Sequence, residues 1–145
     1  MLKVLIAEDE LMIADLLEET LIGNGYEVCG MARTVDEAVA LADLHRPDLA
    51  VLDVRLAGGG RGPEIAERLR GRKIGILYAT GDDARRSMLS LADGSAAIAK
   101  PYMVEDVARA LAIVREIMTL GTATQPFPPG FRLLLESAPQ DAHAS

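Results

Sequence analysis

Short runs of apolar residues alternate along the first 120 residues with longer stretches in which apolar positions recur every three or four residues. The short runs predict β-strands, and the longer stretches predict amphipathic helices. The five predicted strands are 2–7, 27–32, 49–54, 73–80 and 96–99. Helices are predicted between them, the fourth over Asp82 to Asp93, and a fifth helix is predicted over about 104–119.

Helix boundaries follow from capping and turn residues. Gly23-Asn24-Gly25 is typical of a helix end. Thr34 with Glu37 three residues later predicts a capping box at the start of the second helix. The strand at 49–54 is apolar at successive positions, as expected for a strand buried on both faces. Strands that alternate with helices predict a doubly wound α/β fold with a parallel sheet.

Composition excludes several classes of protein. In 145 residues, 15 Lys and Arg against 22 Asp and Glu give a formal net charge of −7, and 50% of the residues are hydrophobic. That balance is globular, and the acidic charge without a dense basic run argues against direct nucleic-acid binding. No apolar run approaches the roughly 18 residues of a membrane span, and the start lacks a signal-peptide pattern. Cys29 is the only cysteine, so a reducing cytoplasm is the expected location.

The last 25 residues differ from the rest. Residues 121–145 contain four prolines, and we expect a Pro-rich tail after a domain over 1–120, without a separate effector domain. Phe127, Phe131 and the Leu133-Leu134-Leu135 run are unusual for a solvated tail. Two interpretations stay open: the apolar patch packs on its own domain, or it docks a partner or a second copy.

Residues with chemical capacity follow four of the five predicted strands. Glu8 and Asp9 follow the first, Asp53 lies near the end of the third, Thr80 ends the fourth and Lys100 follows the fifth. Because the carboxyl ends of parallel strands meet at one edge of the sheet, we expect these side chains to converge there. The three carboxylates repel each other, so a hard cation such as Mg²⁺ is expected among them.

This combination suits phosphoryl transfer. Asp53 is the candidate nucleophile, because a carboxylate can form an aspartyl phosphate. Phosphoryl transfer depends mainly on positioning and on stabilisation of charge. Lys100 and the Thr80 hydroxyl are expected to bind phosphoryl oxygens that the cation does not neutralise.

The motifs VLIAEDE, LAVLDV, YATG and AKPY, at strands one, three, four and five, resemble those of bacterial two-component response regulator receiver domains, over about residues 1–120. The resemblance implies a flavodoxin-like sheet of five parallel strands, in the order 2-1-3-4-5, with five helices. It also implies that Asp53 accepts a phosphoryl group from a histidine kinase or phosphotransfer protein. The implied Mg²⁺ ligands are Glu8, Asp9, Asp53 and the backbone carbonyl of Arg55, and Thr80 and Lys100 would complete the catalytic set. The Lys100-Pro101 bond is typically cis in this family.

Because no effector domain is expected after residue 120, we expect a stand-alone relay or switch rather than an enzyme, apart from assistance to its own phosphorylation and dephosphorylation. The expected output is contact with a downstream protein through the fourth helix, fifth strand and fifth helix, with no nucleic acid or membrane as partner. A homodimer stays open.

The chain departs from the family pattern at Ala97, where an aromatic residue is common. Tyr102 and Tyr78 are candidates to replace that aromatic, or else both are packing residues. Two other functions stay open. A receiver-like interaction module would work without phosphorylation. A small-molecule phosphohydrolase is disfavoured, because Arg55 stands where a second Asp is expected as general acid.

Overall fold

The fold is one sheet covered by helices on both faces. The computed structural model describes residues 1–81, 89 and 94–134. Their elements are β1 (Lys3–Ala7), α1 (Leu11–Gly23), β2 (Glu27–Ala32), α2 (Val35–His45), β3 (Leu49–Asp53), a 3₁₀ turn (Ala57–Gly59), α3 (Gly62–Arg68), β4 (Gly75–Thr80), β5 (Ala96–Ala99), α4 (Val104–Leu120) and β6 (Phe131–Leu133). Helix α4 is the helix predicted as the fifth, since the predicted helix over 82–93 lies outside the described residues, apart from the buried Leu89.

The order of strands in the sheet is β2-β1-β3-β4-β5-β6. The first five strands are parallel to one another, which confirms the predicted order 2-1-3-4-5. In such a sheet all five strands present their carboxyl ends at the same edge, and ligands bind outside that edge.

Two apolar clusters lie on opposite faces of the sheet. One face of β1, with Val4 and Ile6, packs with α1 and α4, where Leu17 and Leu111 are buried. The alternate positions of β1 pack with α2 and α3. Strand β3 is buried at every position, as its uninterrupted apolar run predicts. None of the helices in the described part of the chain is long and apolar enough to span a membrane.

Local signals in the sequence place the helix ends. The Thr34 hydroxyl accepts a hydrogen bond from the backbone N–H of Glu37 at 3.2 Å, and the Glu37 carboxylate accepts one from the N–H of Arg33. This capping arrangement satisfies N–H groups that have no partner within the helix. Helix α1 ends at Gly23 and α2 begins at Val35, as predicted.

Strand β6 corrects the expected five-stranded sheet. Phe131–Leu133 pairs antiparallel with β5 inside the segment expected to be a Pro-rich tail. Phe131 and Leu134 are buried on opposite faces of the sheet, which is the alternation of a strand. The physical reason is that β5 is short and contributes mainly alanines, so these larger side chains complete both clusters at that edge. The apolar residues Phe127, Phe131, Leu133 and Leu134 therefore pack on their own domain, and Leu135 lies outside the described residues.

Candidate functional site

The six residues expected at the site line the carboxyl edge of the sheet. Glu8 and Asp9 directly follow β1, Asp53 ends β3, Thr80 ends β4 and Lys100 directly follows β5. Glu8, Asp53 and Thr80 are buried polar residues, with Glu8 only 3% and Asp53 only 7% exposed. The sixth residue is Arg55, which lines a cavity of about 290 Å³ together with Asp9, Asp53, Thr80 and Lys100.

Lys100 bridges two of the acids. Its Nζ atom lies 3.0 Å from Oε1 of Glu8 and 3.0 Å from Oδ2 of Asp53. Burial alone would lower the pKa of the Lys100 ammonium, but the hydrogen bonds to Asp53 and Glu8 outweigh it and raise the pKa above its usual range. The ammonium therefore stays charged at neutral pH and offsets part of the negative charge.

The second oxygen of each bridged acid is also hydrogen-bonded. Oε2 of Glu8 accepts the backbone N–H of Glu10 at 3.1 Å, and Oδ1 of Asp53 accepts the N–H of Arg55 at 3.3 Å. These contacts fix the orientation of both carboxylates. The backbone N–H of Lys100 donates to the Thr80 carbonyl at 2.8 Å, and the Lys100-Pro101 peptide bond is cis.

Three carboxylates lie close enough to share a cation. One oxygen from each of Glu8, Asp9 and Asp53 lies within 4.8 Å of the others. Asp9 is more exposed than the other two and faces the cavity. The Lys100 ammonium alone does not offset three carboxylates, which together form an all-oxygen donor set of the kind that hard divalent cations prefer.

Gly62 supports the site and escaped the sequence analysis. A Cβ atom at this position would lie 2.5 Å from the backbone oxygen of Asp53. The backbone N–H of Gly62 also donates to the Val54 carbonyl at 2.9 Å. The start of α3 thus packs directly against the backbone of Asp53, and only glycine leaves room for that close contact. Gly62 ends a glycine-rich run from Ala57 that is typical of a flexible loop, and that pattern does not distinguish the glycine that contacts Asp53.

Tyr102, considered from the sequence only as a substitute for the aromatic at Ala97, also lies near the site carboxylates. Its phenol oxygen is buried and has no hydrogen-bond partner within the described residues. Burial, and then the nearby Glu8 carboxylate, raise the pKa of Tyr102 to about 12. The phenol is therefore neutral at physiological pH.

The two tyrosines considered as substitutes for the aromatic at Ala97 lie on different faces. Tyr78 pairs with Ala97 in the β4–β5 register, and both belong to the same apolar cluster. Tyr78 is fully buried, and its ring lies against Gly62 and Gly94. Tyr102 packs against the opposite cluster. The space beside Ala97 is therefore next to Tyr78 and not Tyr102.

Known proteins resemble this chain in sequence. The family model for the response regulator receiver domain matches residues 4–112. The transcriptional regulatory protein PdtaR of Mycobacterium tuberculosis is 34% identical over 125 residues, which cover 81% of this chain and 60% of PdtaR. The phyllosphere-induced regulator PhyR of Methylorubrum extorquens is 34% identical over 107 residues, which cover 72% of this chain and 40% of PhyR. The chain thus spans about half the length of these curated relatives.

Two solved structures show the same architecture. The signal receiver domain of a modulated diguanylate cyclase from Desulfovibrio desulfuricans superposes with a TM-score of 0.71 at 29% identity, covering 84% of this chain and 99% of that one. A CheY-like receiver domain protein from Methanospirillum hungatei gives 0.68 at 29% identity, covering 81% and 94%. On the family match, the relatives and the fold together, the chain belongs to the response regulator receiver domain family.

Proposed function

We propose that this chain works in two-component signalling, by accepting a phosphoryl group on Asp53 from a histidine kinase or a phosphotransfer protein. The observation that best supports this is the ion pair of Lys100 with both Glu8 and Asp53 beside Asp9, in a cavity open to solvent. An aspartate that is nearly buried, yet lines an open cavity, is available to a donor while solvent reaches it poorly.

The proposed reaction is a displacement at phosphorus. A carboxylate oxygen of Asp53 attacks the phosphorus of a phosphohistidine, an O–P bond forms, the P–N bond breaks and the imidazole leaves. Lys100 already lies at the attacking carboxylate, so its ammonium is placed to stabilise negative charge on the incoming group. Thr80 lines the same cavity, and we assign its hydroxyl to a phosphoryl oxygen.

We assign a Mg²⁺ ion to Glu8, Asp9 and Asp53, with the Arg55 carbonyl as a further ligand. The spacing of the carboxylate oxygens and their chemistry fit a hard cation that keeps several waters. When bound, Mg²⁺ would supply neutralisation of the phosphoryl oxygens during transfer.

The chain's own output would be a protein contact rather than catalysis on a separate substrate. Phosphorylation replaces the single negative charge of the Asp53 carboxylate with a phosphoryl group that carries about −1.5 to −2 charges, and this change biases contacts around Lys100 and Thr80. We expect the downstream partner on the side of the sheet formed by β5 and α4. Since β6 pairs with the outer edge of β5, a partner that approaches this edge meets β6 first.

Labelled phosphoryl transfer from an autophosphorylated histidine kinase tests the proposal. We expect wild-type protein to take up label only with Mg²⁺, and Asp53→Asn to take up none. The matched control is Asp43→Asn, an isosteric change at an exposed acid of α2 that pairs with Arg72 on the surface. It should be labelled like wild type.

Two results would contradict the proposal. Equal labelling of Asp53→Asn and wild type would exclude Asp53 as the acceptor. The second result is a wild-type protein that takes up no label from the host's kinases and whose NMR spectrum does not change with acetyl phosphate or beryllofluoride in the presence of Mg²⁺. The chain would then be a receiver-like interaction module that works without phosphorylation.

A further inference from the structure

The last residue of β5 is held from both sides. Ala99 pairs with Thr80 of β4, and its backbone N–H donates to the Gly130 carbonyl at 3.0 Å. The following residue is Lys100, whose ammonium bridges Glu8 and Asp53. The segment that leads into β6 is therefore separated from the site lysine by one peptide unit.

The approach between Gly130 and Ala99 is close. Gly130 has φ +76°, a conformation that side-chain-bearing residues rarely adopt. A Cβ atom there would lie 3.3 Å from both Cβ and N of Ala99. The absence of a side chain at Gly130 thus lets its carbonyl reach the backbone of Ala99, the residue that precedes Lys100.

Strand β6 is anchored strongly enough to hold that contact. Phe131 is buried, and its ring meets Phe127 edge to face, with centroids 5.0 Å apart. Leu134 is buried on the other face, and its N–H donates to the Ser95 carbonyl at 3.0 Å. Both ends of β5 are therefore hydrogen-bonded to the β6 segment.

We propose that Gly130 and Phe131 are positioning residues for Lys100, so that β6 forms part of the apparatus that receives the phosphoryl group. This inference rests on the proposed function. A lysine has a long, flexible stem, and the place of its ammonium depends on where its backbone is held. Without the Gly130 carbonyl, the N–H of Ala99 loses its partner, and the end of β5 is fixed on the β4 side alone.

The inference requires reciprocal coupling. If β6 favours the position in which Lys100 meets an anion at Asp53, then anion binding stabilises β6 by the same factor. The ammonium and the cation are both positive and both meet Glu8 and Asp53, so displacing the ammonium should leave the affinity for the cation equal or higher, whereas a general loss of structure lowers both affinities. The two affinities therefore separate a positioning role from a general loss of structure.

The test compares Gly130→Ala with Gly25→Ala in the full chain. Gly25 has φ +90°, and a Cβ there meets no described atom within 4 Å, so this control adds the same backbone strain without the Ala99 contact. Tryptophan is absent from the chain, so binding is followed by NMR titration with Mg²⁺ alone and then with beryllofluoride. We expect Gly130→Ala to weaken beryllofluoride binding by roughly 5- to 150-fold, the usual range of such coupling. Its Mg²⁺ affinity should equal or exceed that of Gly25→Ala, and a lower Mg²⁺ affinity would indicate a general loss of structure.

A double-mutant cycle makes the test specific for Lys100. In a Lys100→Ala background, Gly130→Ala should weaken beryllofluoride binding no further, because the residue it positions is gone. Additive losses would overturn the inference, as would equal losses for Gly130→Ala and Gly25→Ala. If Gly130→Ala does not fold, Phe131→Leu, which keeps an apolar side chain, replaces it in every arm of the test.

A ligand-free measurement separates this inference from the proposed function. Hydrogen exchange of the Lys100 amide, which donates to Thr80, should be faster in Gly130→Ala than in Gly25→Ala. If wild type fails to bind beryllofluoride, the proposed function falls and this comparison alone decides whether β6 holds Lys100. Unchanged exchange would overturn the inference even where beryllofluoride binds.

Discussion

The Nζ atom of Lys100 lies 3.0 Å from Oδ2 of Asp53, although 47 residues separate them in the chain. The same atom pairs with Glu8, so one ammonium bridges two buried carboxylates. Removing it leaves two acids that repel each other at an edge of the sheet where burial limits their hydration.

We therefore expect Lys100→Met to destabilise the protein by about 3 kcal/mol, the lower end of the range for breaking a buried ion pair, since the cavity admits solvent. Mg²⁺ should recover part of the loss and stabilise the variant more than wild type. Urea unfolding with EDTA or with Mg²⁺ measures both effects. Lys73→Met, at an exposed lysine, should shift the free energy of unfolding by less than about 0.5 kcal/mol. An unchanged urea midpoint for Lys100→Met in EDTA would contradict the prediction.

Gly62→Ala should cost about 1–3 kcal/mol of stability and weaken Mg²⁺ binding, because its Cβ would lie 2.5 Å from the Asp53 backbone oxygen and displace it. The control is Gly23→Ala in the last turn of α1, where a Cβ meets no described atom within 4 Å. That change should be neutral or stabilise by up to about 1 kcal/mol. Urea unfolding and Mg²⁺ titration report the two effects, and equal behaviour of the two variants would count against the contact.

The parts of the fold that the sequence predicts are those with strong local signals. The buried strand β3 has an unbroken apolar run, and α4 has a clear helical repeat. Each charged or hydroxyl residue expected at the site directly ends or follows an apolar strand. Parallel topology then brings Glu8, Asp53 and Lys100 together without any further information.

The parts that the sequence misses depend on contacts between distant residues. Strand β6 is three residues long and lies in a Pro-rich segment, so its alternation of buried and exposed side chains is too short to recognise in the sequence. The strand forms because β5 offers an edge to pair with and an apolar cluster on each face. Gly62 is one of several glycines in its loop, and nothing local distinguishes the one that touches Asp53. The burial of the Tyr102 phenol likewise depends on how the chain after β5 folds back.

Tyr102→Phe should leave stability at neutral pH unchanged or raise it by up to about 1 kcal/mol, because the buried phenol has no hydrogen-bond partner within the described residues. The dependence of stability on pH should change as well. The folded-state pKa of Tyr102 is raised from 10.0 to about 12, so ionisation of the phenol does not affect stability below pH 10 and lowers it as pH rises from 10 toward 12.

Tyr102→Phe should therefore lose stability less steeply than wild type at high pH. Urea midpoints measured across the same window test this, and an ultraviolet titration should show that the variant lacks a phenol that titrates near pH 12. A fall in stability of more than about 1 kcal/mol at neutral pH would show that the phenol does have a partner.

Glu116 fixes the turn that leads from α4 toward β6. Its carboxylate accepts hydrogen bonds from the Thr122 hydroxyl and from the N–H and hydroxyl of Thr124, and these bonds lower the pKa of Glu116 below 4.5. A lowered folded-state pKa means that the contribution is present above 4.5 and is lost as pH falls through the folded value. The NMR shift of the Thr124 amide should therefore titrate with a midpoint below 4.5 and lose that transition in Glu116→Gln, but not in the exposed control Glu105→Gln. A midpoint at or above 4.5 would mean that the turn is not held by this carboxylate in solution.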